Sequence, residues 1–236
     1  MKVSDRVELV GLLRQEVEAL MGKMGEARYR GRQVFQWVQA RRALDTDAMT
    51  SMPRALRGVL AGRVRIGRPE AVQVQRARDG TRKYLFRLAD GEEIESVLIP
   101  DDGRLTACIS TQVGCPLACR FCLTGLMGIR RNLIASEIVE QVLALQDGLE
   151  LGERISNIVL MGMGEPLLNF PQVERALRIL SDEYGANFSP RRITVSTAGH
   201  VPGIRKLAEA DLKIRQLEKA SGGEMKLTPM DVESED

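Results

Sequence analysis

The stretch Gly114-Cys115-Pro116-Leu117-Ala118-Cys119-Arg120-Phe121-Cys122 places three of the chain's four cysteines at a C-x3-C-x2-C spacing. Thiolates are soft ligands that favour zinc and iron–sulfur clusters, and a structural zinc site needs four protein ligands. The single histidine, His200, is far away in the sequence, and Cys108 lies upstream on a predicted strand. Three thiolates without an evident fourth ligand therefore indicate an iron–sulfur cluster with one iron open to a substrate or cofactor. A zinc knuckle or a chance grouping of thiols is the alternative.

The composition is that of a globular protein, since 44% of the 236 residues are apolar and 28% are charged. No apolar run is long enough to span a membrane, and no apolar signal-peptide core follows the first residues. We therefore expect a cytoplasmic protein, which we also take to be a monomer. In that compartment reduced cysteines serve metal binding or catalysis more often than disulfides.

The net charge of +2 conceals an uneven distribution along the chain. Residues 1–90 contain 19 Lys and Arg against 10 Asp and Glu, whereas residues 91–236 contain 15 against 22. A basic N-terminal part indicates contact with a polyanion, and nucleic acid is the polyanion that we expect. A solvated arginine-rich surface is the alternative that the charge alone leaves open.

Apolar residues at three- and four-residue intervals predict helices over residues 5–24, 29–42 and 53–63. These helices would form a small basic module, residues 1–68, that grips the substrate. We expect its aromatic residues to belong to the core of the module and not to serve as platforms for base stacking.

Alternation of period two predicts a short antiparallel sheet over residues 69–103, with Asp79-Gly80 and Asp90-Gly91 as hairpin turns. Glu95 lies in its last strand, residues 94–100, which is otherwise apolar. A carboxylate at such a position is either exposed at an edge or aimed into a cavity. The pattern alone favours exposure.

Residues 104–215 alternate between strands and helices with short loops, which predicts part of a parallel (β/α) barrel and hence an α/β fold. The predicted strand before the cysteines leads directly into the cysteine loop, Gly114–Cys122. The predicted strands cover residues 105–113, 155–161 and 192–197, with a fourth from Leu212; the predicted helices cover 137–148, capped by Ser136, then 171–184 and 202–210.

Three motifs fall at the carboxyl ends of these strands, where (β/α) barrels carry their chemistry. They are the cysteine loop, the glycine turn Gly162-Met163-Gly164-Glu165-Pro166 and the serine turn Ser196-Thr197-Ala198-Gly199. We expect them to form one site. There Gly164 would let the backbone approach a ligand, Glu165 would accept from an ammonium, and Ser196 would donate to a carboxylate, as an amino-acid cofactor requires.

The strand pattern ends after Arg215, and residues 216–236 form an acidic tail with few core-forming residues. We expect this tail to be disordered and foreign to the preceding domain. The predicted barrel then stops at three strands and the beginning of a fourth, which would leave an unpaired parallel edge. We interpret the chain as truncated or frame-shifted relative to a complete domain.

Together these motifs resemble the RlmN/Cfr family of radical S-adenosylmethionine (SAM) methyltransferases, which modify adenosine in 23S ribosomal RNA and, in some members, transfer RNA. The resemblance runs from about residue 5 to Arg215. The segments that carry it are residues 32–37, 94–100, 108–122, 162–166 and 193–199.

The resemblance implies a [4Fe–4S] cluster and SAM as cofactors. An electron from a small flavodoxin- or ferredoxin-type protein would reach SAM through the cluster and cleave it to a 5′-deoxyadenosyl radical. That radical would act on a methyl group carried by a cysteine, and the product would add to C2 of adenine. By the family's pattern the cluster ligands are Cys115, Cys119 and Cys122, and the residues that help hold SAM are Gly164, Glu165 and Ser196.

Two further residues match catalytic positions of the family. Glu95 matches the general base, which reverses the exposure that the strand pattern favours. Cys108 matches the thiol that resolves the protein–RNA crosslink through a transient disulfide. Without the resemblance, Cys108 would be interpreted as an inert core thiol.

The family's methyl-carrying cysteine lies beyond Arg215, on sequence that is absent here. We therefore predict that this chain alone cannot complete methyl transfer. Three alternatives stay open: a non-catalytic remnant that binds RNA through its basic part, the C8-methylating branch of the same family, and a radical SAM enzyme for a small molecule. The basic module argues against the last. The motifs distinguish neither C2 from C8 nor one RNA substrate from two.

Overall fold

An eight-stranded mixed sheet forms the centre of the protein in a computed structural model that describes residues 6–210, 212, 215–218 and 226–228. The predicted α/β class is confirmed. Among the described residues, no helix has the length and apolar character needed to cross a membrane. The strands are β1 Val7–Glu8, β2 Val64–Arg65, β3 Glu70–Arg76, β4 Arg82–Arg87, β5 Glu93–Asp101, β6 Arg104–Cys108, β7 Gln112–Gly114, β8 Ile129–Asn132, β9 Asn157–Leu160, β10 Ile193–Thr197, β11 Arg215–Glu218 and β12 Lys226–Thr228; the helices are α1 Arg14–Lys23, α2 Arg28–Gln39, α3 Arg54–Arg63, α4 Leu123–Leu126, α5 Ala135–Asp147, α6 Phe170–Ser181 and α7 Val201–Glu209.

The sheet changes from antiparallel to parallel at β6, and its strand order is β12-β11-β10-β9-β6-β5-β4-β3. Strands β6, β9, β10 and β11 run parallel, as expected for part of a (β/α) barrel, whereas β3 to β6 form antiparallel hairpins. The strands predicted for residues 69–103 therefore continue the barrel sheet. The expected boundary at residue 103 falls between β5 and β6, which pair with each other from Val97 opposite Cys108 onward.

The two faces of the sheet differ in burial. One face packs against α5, where Gln141 Oε1 accepts a hydrogen bond of 2.9 Å from Ser96 Oγ on β5, and the residues at the middle of this face are buried. The other, which we name the open face, is only partly buried. Strand register assigns Ile94, Leu98, Ala107, Ile158 and Val195 to the buried face, and Leu85, Glu95, Val97, Cys108, Val159, Thr194 and Ser196 to the open face.

Helices α1 to α3 form the predicted N-terminal module. Helices α1 and α2 approach closely at Gly31, where a Cβ would overlap the Cα of Glu18. The first predicted helix begins only at α1, because β1 precedes it and pairs in parallel with β2. Arg175 Nε on α6 donates to the Gly11 carbonyl oxygen at 2.8 Å, which attaches the module to the helices around the sheet.

Two local predictions within the barrel part are wrong. Ser136 lies in the first turn of α5 and does not cap it, since Ile134 is the N-cap and its N–H donates to Glu137 Oε2 at 3.0 Å. The predicted strand over residues 105–113 is interrupted between β6 and β7. There Ser110 N donates to a side chain, Gln141 Oε1, at 2.8 Å and so leaves the strand ladder.

The prediction of a structureless tail after Arg215 is wrong for the residues described there. β11 pairs in parallel with β10, and β12 pairs antiparallel with β11. A sheet edge offers unpaired backbone N–H and C=O groups, so even a polar sequence can pair with it. Residues 219–225 and 229–236 of the predicted disordered tail lie outside the described residues.

Candidate functional site

The cysteine loop lies in a segment that begins at β7 and returns at β8, and these strands pair at its base. Cys115 N donates to the Gly128 carbonyl oxygen at 2.9 Å, so the two ends of the segment meet. Gly114 adopts φ +77°, and a Cβ there would overlap the same oxygen, so this junction requires glycine. Farther along, Cys122 N donates to the Cys119 carbonyl oxygen at 3.0 Å, which brings the second and third cysteines into one turn.

The three thiols share one electrostatic environment. Cys115 is buried, whereas Cys119 and Cys122 are half-buried. Burial is the main cause of a raised pKa of the Cys115 thiol, and the Leu117 backbone N–H acts against it. The charges of Cys119, Cys122 and Glu165 raise the same pKa further. Within the described ranges, no three His, Cys, Asp or Glu side chains are placed to hold a single metal ion.

Glu165 connects the motifs at the rim of the sheet. This carboxylate is 3% exposed, and it accepts from Leu167 N at 3.1 Å and from Ala198 N at 2.8 Å. Because Ala198 follows β10 directly, the carboxylate ties the glycine turn to the serine turn. Glu165 N donates to Gln112 Oε1 at 2.8 Å, which attaches both turns to the base of the cysteine loop. The predicted meeting of the three motifs at one rim is confirmed.

Gly164 makes room for a protein side chain. Its φ of +102° favours glycine, and a Cβ would lie 2.6 Å from the Cβ of Gln112. Gln112 is itself held on β7, because its Nε2 donates to Asn132 Oδ1 on β8 at 2.7 Å. The Gly164 backbone thus lies close to Gln112. That it also lies close to a ligand stays a prediction.

Ser196 presents a buried hydroxyl that has no hydrogen-bond partner among the described residues. The residue is 4% exposed and lies at the end of β10, on the open face. The Thr111 hydroxyl near the base of the cysteine loop is likewise buried and unpartnered within the described part of the chain. An unpaired buried hydroxyl costs roughly 1–3 kcal/mol, which a ligand acceptor would offset. Soft thiols beside an unsatisfied hydroxyl fit an iron–sulfur cluster with a carboxylate-bearing cofactor.

Glu95 and Cys108 lie on adjacent strands of the open face. Val97 is opposite Cys108 in the register of β5 and β6, and Glu95 is two residues away on the same face. Glu95 Oε1 accepts from Lys83 Nζ at 2.8 Å, and the Glu95 side chain is 44% exposed. Cys108 is buried at the end of β6. The Glu95 side chain is therefore partly exposed, as the strand pattern favours. It also lies on the open face, where a ligand can reach it.

A buried amide network, which sequence reasoning missed, holds the backbone of Glu95. Gln141 Oε1 accepts from Ser96 Oγ and from Ser110 N, and Gln141 Nε2 donates to the Ser110 carbonyl oxygen at 3.0 Å. Ser110 Oγ donates to the Glu95 carbonyl oxygen at 2.6 Å and accepts from Met163 N at 2.9 Å. The glycine turn is thereby fixed relative to Glu95. An amide on the buried side of a predicted helix is the signal that could have revealed Gln141.

The basic module stacks arginines on its aromatic side chains. The guanidinium of Arg41 lies 4.3 Å from the centre of the Trp37 ring, and that of Arg30 lies 4.9 Å from the centre of the Tyr29 ring. Trp37 packs against the core and donates to Ser51 Oγ at 2.8 Å, whereas Tyr29 is 53% exposed. The assignment of aromatic residues to the core is confirmed for Trp37 and wrong for Tyr29.

Two family models match separate parts of the chain. Residues 7–66 match the model described as the ribosomal RNA large subunit methyltransferase N-terminal domain. Residues 109–218 match the model of the radical SAM superfamily. The second match includes residues 216–218, so the prediction that the chain is foreign to the family from residue 216 onward is wrong for these three residues.

Curated relatives and a solved structure resemble nearly the whole chain. A dual-specificity RNA methyltransferase RlmN from Halorhodospira halophila is 49% identical over 204 residues, which are 86% of this chain and 56% of that relative. Another, from Syntrophus aciditrophicus, is 47% identical over 203 residues, with shares of 86% and 58%. A crystal structure of a radical SAM methyltransferase from Sphaerobacter thermophilus matches with a TM-score of 0.83 at 45% identity, over 89% of this chain and 62% of that one. The chain thus spans somewhat more than half the length of the curated relatives.

Proposed function

Because the chain belongs to the RlmN family of radical SAM RNA methyltransferases, we propose that the reaction its residues serve is methylation of C2 of adenosine in 23S ribosomal RNA, with transfer RNA as a second substrate. The observation that supports this best is the Glu165 carboxylate, which joins the glycine turn to the serine turn beside the cysteine loop. The names of the relatives, dual-specificity RNA methyltransferases, support an RNA substrate. We place the protein in the cytoplasm, as a monomer.

In this proposal Cys115, Cys119 and Cys122 hold a [4Fe–4S] cluster. A four-iron cluster takes its thiolates on different iron atoms, so its ligands need not converge on one point. When bound, the cluster and SAM supply an adenosyl radical, once a flavodoxin- or ferredoxin-type protein has delivered an electron. The chain's own contribution is to close the segment at Gly114 and Gly128, which holds the two ends of the cysteine-bearing segment together.

Ser196, Glu165 and Gly164 orient SAM. The unpartnered Ser196 hydroxyl donates to the SAM carboxylate and so satisfies its own hydrogen-bonding capacity. Each Glu165 oxygen already accepts one backbone N–H, and a carboxylate oxygen has a second lone pair that can accept from the SAM ammonium. Because those backbone donors hold the carboxylate in place, it needs no rearrangement on binding. The Gly164 backbone borders the same space.

Glu95 and Cys108 act on the RNA from the open face. Glu95 takes the proton from C2 of the adenine onto a carboxylate oxygen, beside the Lys83 ammonium. The Cys108 thiolate would attack the sulfur of the methyl-carrying cysteine, so that an S–S bond forms while the S–C bond to the adenine-linked methylene breaks. The carbon would keep that electron pair and take up a proton, which completes the methyl group and releases the product. The four cysteines of this chain are thereby all assigned, and none is left to carry the methyl group. We therefore expect this chain to bind the cluster and cleave SAM without methylating RNA.

Anaerobic reconstitution with iron and sulfide tests the proposal. The protein should turn brown, and with SAM and dithionite it should release 5′-deoxyadenosine. A colourless protein with one zinc per chain would refute the cluster assignment. Methylated adenosine from this chain alone would refute the methyl-cysteine step. RNA binding that weakens with salt, in a protein that never cleaves SAM, would favour the non-catalytic alternative.

The variant Ser196→Ala tests the SAM contact. A lost hydrogen bond to a charged group is worth roughly 1.5–3 kcal/mol, so SAM should bind the reconstituted variant at least about tenfold more weakly. Ser181→Ala is the matched control, because the Ser181 hydroxyl donates to the Leu177 carbonyl oxygen within α6. Equal SAM affinity of Ser196→Ala and wild type, measured by equilibrium dialysis, would remove Ser196 from the site.

A further inference from the structure

Six large apolar side chains around the cysteine loop are exposed, although the rest of the described chain buries most of its apolar residues. We name this surface the loop patch. All six belong to the segment that closes at β7 and β8, and two of them, Phe121 and Leu123, flank Cys122 directly. The loop patch consists of Leu117, Phe121, Leu123, Leu126, Met127 and Ile129, whose exposed fractions are 38%, 85%, 81%, 76%, 58% and 43%.

The segment that carries the loop patch is positively charged. Between Cys115 and Ser136 it holds three arginines and no Asp or Glu. Arg130 pairs with Glu92, and Arg131 pairs with both Asp90 and Glu137, so carboxylates outside this segment neutralise these two arginines. Arg120 is exposed, and no ion pair engages it within the described residues. An apolar surface that also carries an unpaired cation is complementary to an acidic protein with an apolar contact area.

We propose that the loop patch is the docking surface for a small acidic electron-carrier protein. This inference rests on the proposed function, because it takes Cys115, Cys119 and Cys122 as cluster ligands. On docking, the reduced cofactor of the carrier is oxidised by one electron, and the iron–sulfur group held by the three cysteines is reduced by that electron. Cys119 and Cys122 are half-buried, and Phe121 and Leu123 of the loop patch are the sequence neighbours of Cys122.

The composition of the loop patch favours a protein partner over RNA. Five of its six side chains are aliphatic, and Phe121 is its one aromatic ring. Single-stranded RNA is bound by rows of aromatic rings and arginines, whereas protein interfaces are enriched in aromatic residues, Met and Arg around an apolar centre. Transient redox encounters use small interfaces, which a patch on one loop can provide.

Binding to a carrier can be measured with the full 236-residue chain without its cluster, in reducing buffer. The probes are a fluorescently labelled bacterial flavodoxin and a labelled ferredoxin. The triple variant Leu123→Ser, Leu126→Ser, Met127→Ser should weaken binding of the better probe about tenfold or more. The matched control changes three exposed apolar residues elsewhere, Leu44, Val59 and Leu151, to Ser, and should stay within about twofold of wild type.

A second variant tests the loop patch without changing α4, so its result does not depend on the folding of that helix. Arg120→Glu changes one exposed charge, and it should weaken binding at low salt by about tenfold and by less at high salt. The proposal is overturned if neither probe binds wild type, if patch and control variants lose affinity equally, or if the patch variants lose affinity for a ribosomal RNA hairpin instead. Self-association of wild type that the triple variant abolishes would also overturn it.

Failure of this inference can be told apart from failure of the proposed function. Dithionite delivers electrons without docking, so the reconstituted patch variants should cleave SAM with dithionite as wild type does. If the patch variants cleave SAM with dithionite and also bind the carrier as tightly as wild type does, the proposed function stands. The assignment of the loop patch as the docking surface would then be wrong. Absence of a cluster in wild type would remove both.

Discussion

Replacing Glu140 by glutamine should abolish a loss of stability that the wild-type protein shows as the pH rises from about 4.5 to 7. Glu140 on α5 is 7% exposed, and its carboxylate forms no hydrogen bond within the described residues. Burial raises its pKa to about 7, and the negative charge of Glu8 acts in the same direction. A buried carboxyl of this kind is held in its neutral form by the fold.

The surroundings of Glu140 place this effect at the junction between the N-terminal module and the sheet. Glu140 lines a cavity of about 270 Å³ together with residues of the linker after β2. It touches that linker so closely that a Cβ on Gly67 would overlap its carboxylate. Arg65 and Arg68 lower the pKa of Glu140, and Glu137 raises it, but burial and Glu8 outweigh the two arginines.

The magnitude follows from the two pKa values. In the unfolded chain the carboxyl has its ordinary pKa of 4.5, so between 4.5 and about 7 the folded state binds a proton that the unfolded state has released. Stability therefore falls as the pH rises through this range and stays low above it. At about 1.4 kcal/mol for each unit of pKa, the full loss is on the order of 3 kcal/mol.

Urea unfolding at pH 5, 6, 7 and 8, followed by circular dichroism, measures the effect. The variant Glu140→Gln should gain stability over wild type progressively with pH, to about 3 kcal/mol at pH 8. Glu174→Gln is the control, since Glu174 forms an exposed pair with Arg178 and should change stability by about 0.5 kcal/mol or less at every pH. If the unfolding free energies of Glu140→Gln and wild type differ by the same amount at every pH from 5 to 8, the reasoning is refuted.

Three further substitutions test the packing of the site. Gln141→Leu leaves the Ser96 hydroxyl and the backbone of Ser110 unpaired and should cost roughly 2–4 kcal/mol in urea unfolding; a loss below about 1 kcal/mol would contradict the network. Gly114→Ala forces a side chain against Gly128, so iron bound after reconstitution should drop several-fold. Lys83→Met should change unfolding by about 1 kcal/mol or less, because the pair with Glu95 is about half exposed.

The sequence predicts most of the architecture because its periodicity is local. The hairpin turns at Asp79-Gly80 and Asp90-Gly91 connect paired strands as expected, since Gly80 and Gly91 both adopt positive φ. The meeting of the cysteine loop, the glycine turn and the serine turn is also predictable. Parallel strands in register end at one edge of a sheet, so motifs that follow such strands come together whatever their distance in sequence.

Contacts between distant side chains could not be predicted in this way. Gln141 and Ser110 are 31 residues apart, and nothing in the periodicity of α5 distinguishes a hydrogen-bonded amide from an exposed one. The predicted role of Glu165 as an acceptor did not include Ala198, because that contact depends on how two turns face each other across the rim. The extension of the predicted fourth strand beyond Arg215, to Glu218 in β11, could not be predicted for another reason: its pairing with β10 uses backbone groups that every residue has.

The position of Glu95 gives its weak ion pair with Lys83 a part in the proposed reaction. Its pair with Lys83 is about half exposed, and water reduces the strength of such a pair to roughly 0–1 kcal/mol. An RNA base over the open face would exclude water from both side chains and lower the local dielectric, which strengthens their attraction. The backbone of Glu95 is already fixed by Ser110, so the carboxylate would not have to move. In the proposed reaction the pair with Lys83 therefore fixes the position of the Glu95 carboxylate mainly after the substrate has bound, and the stability of the free protein does not report this effect.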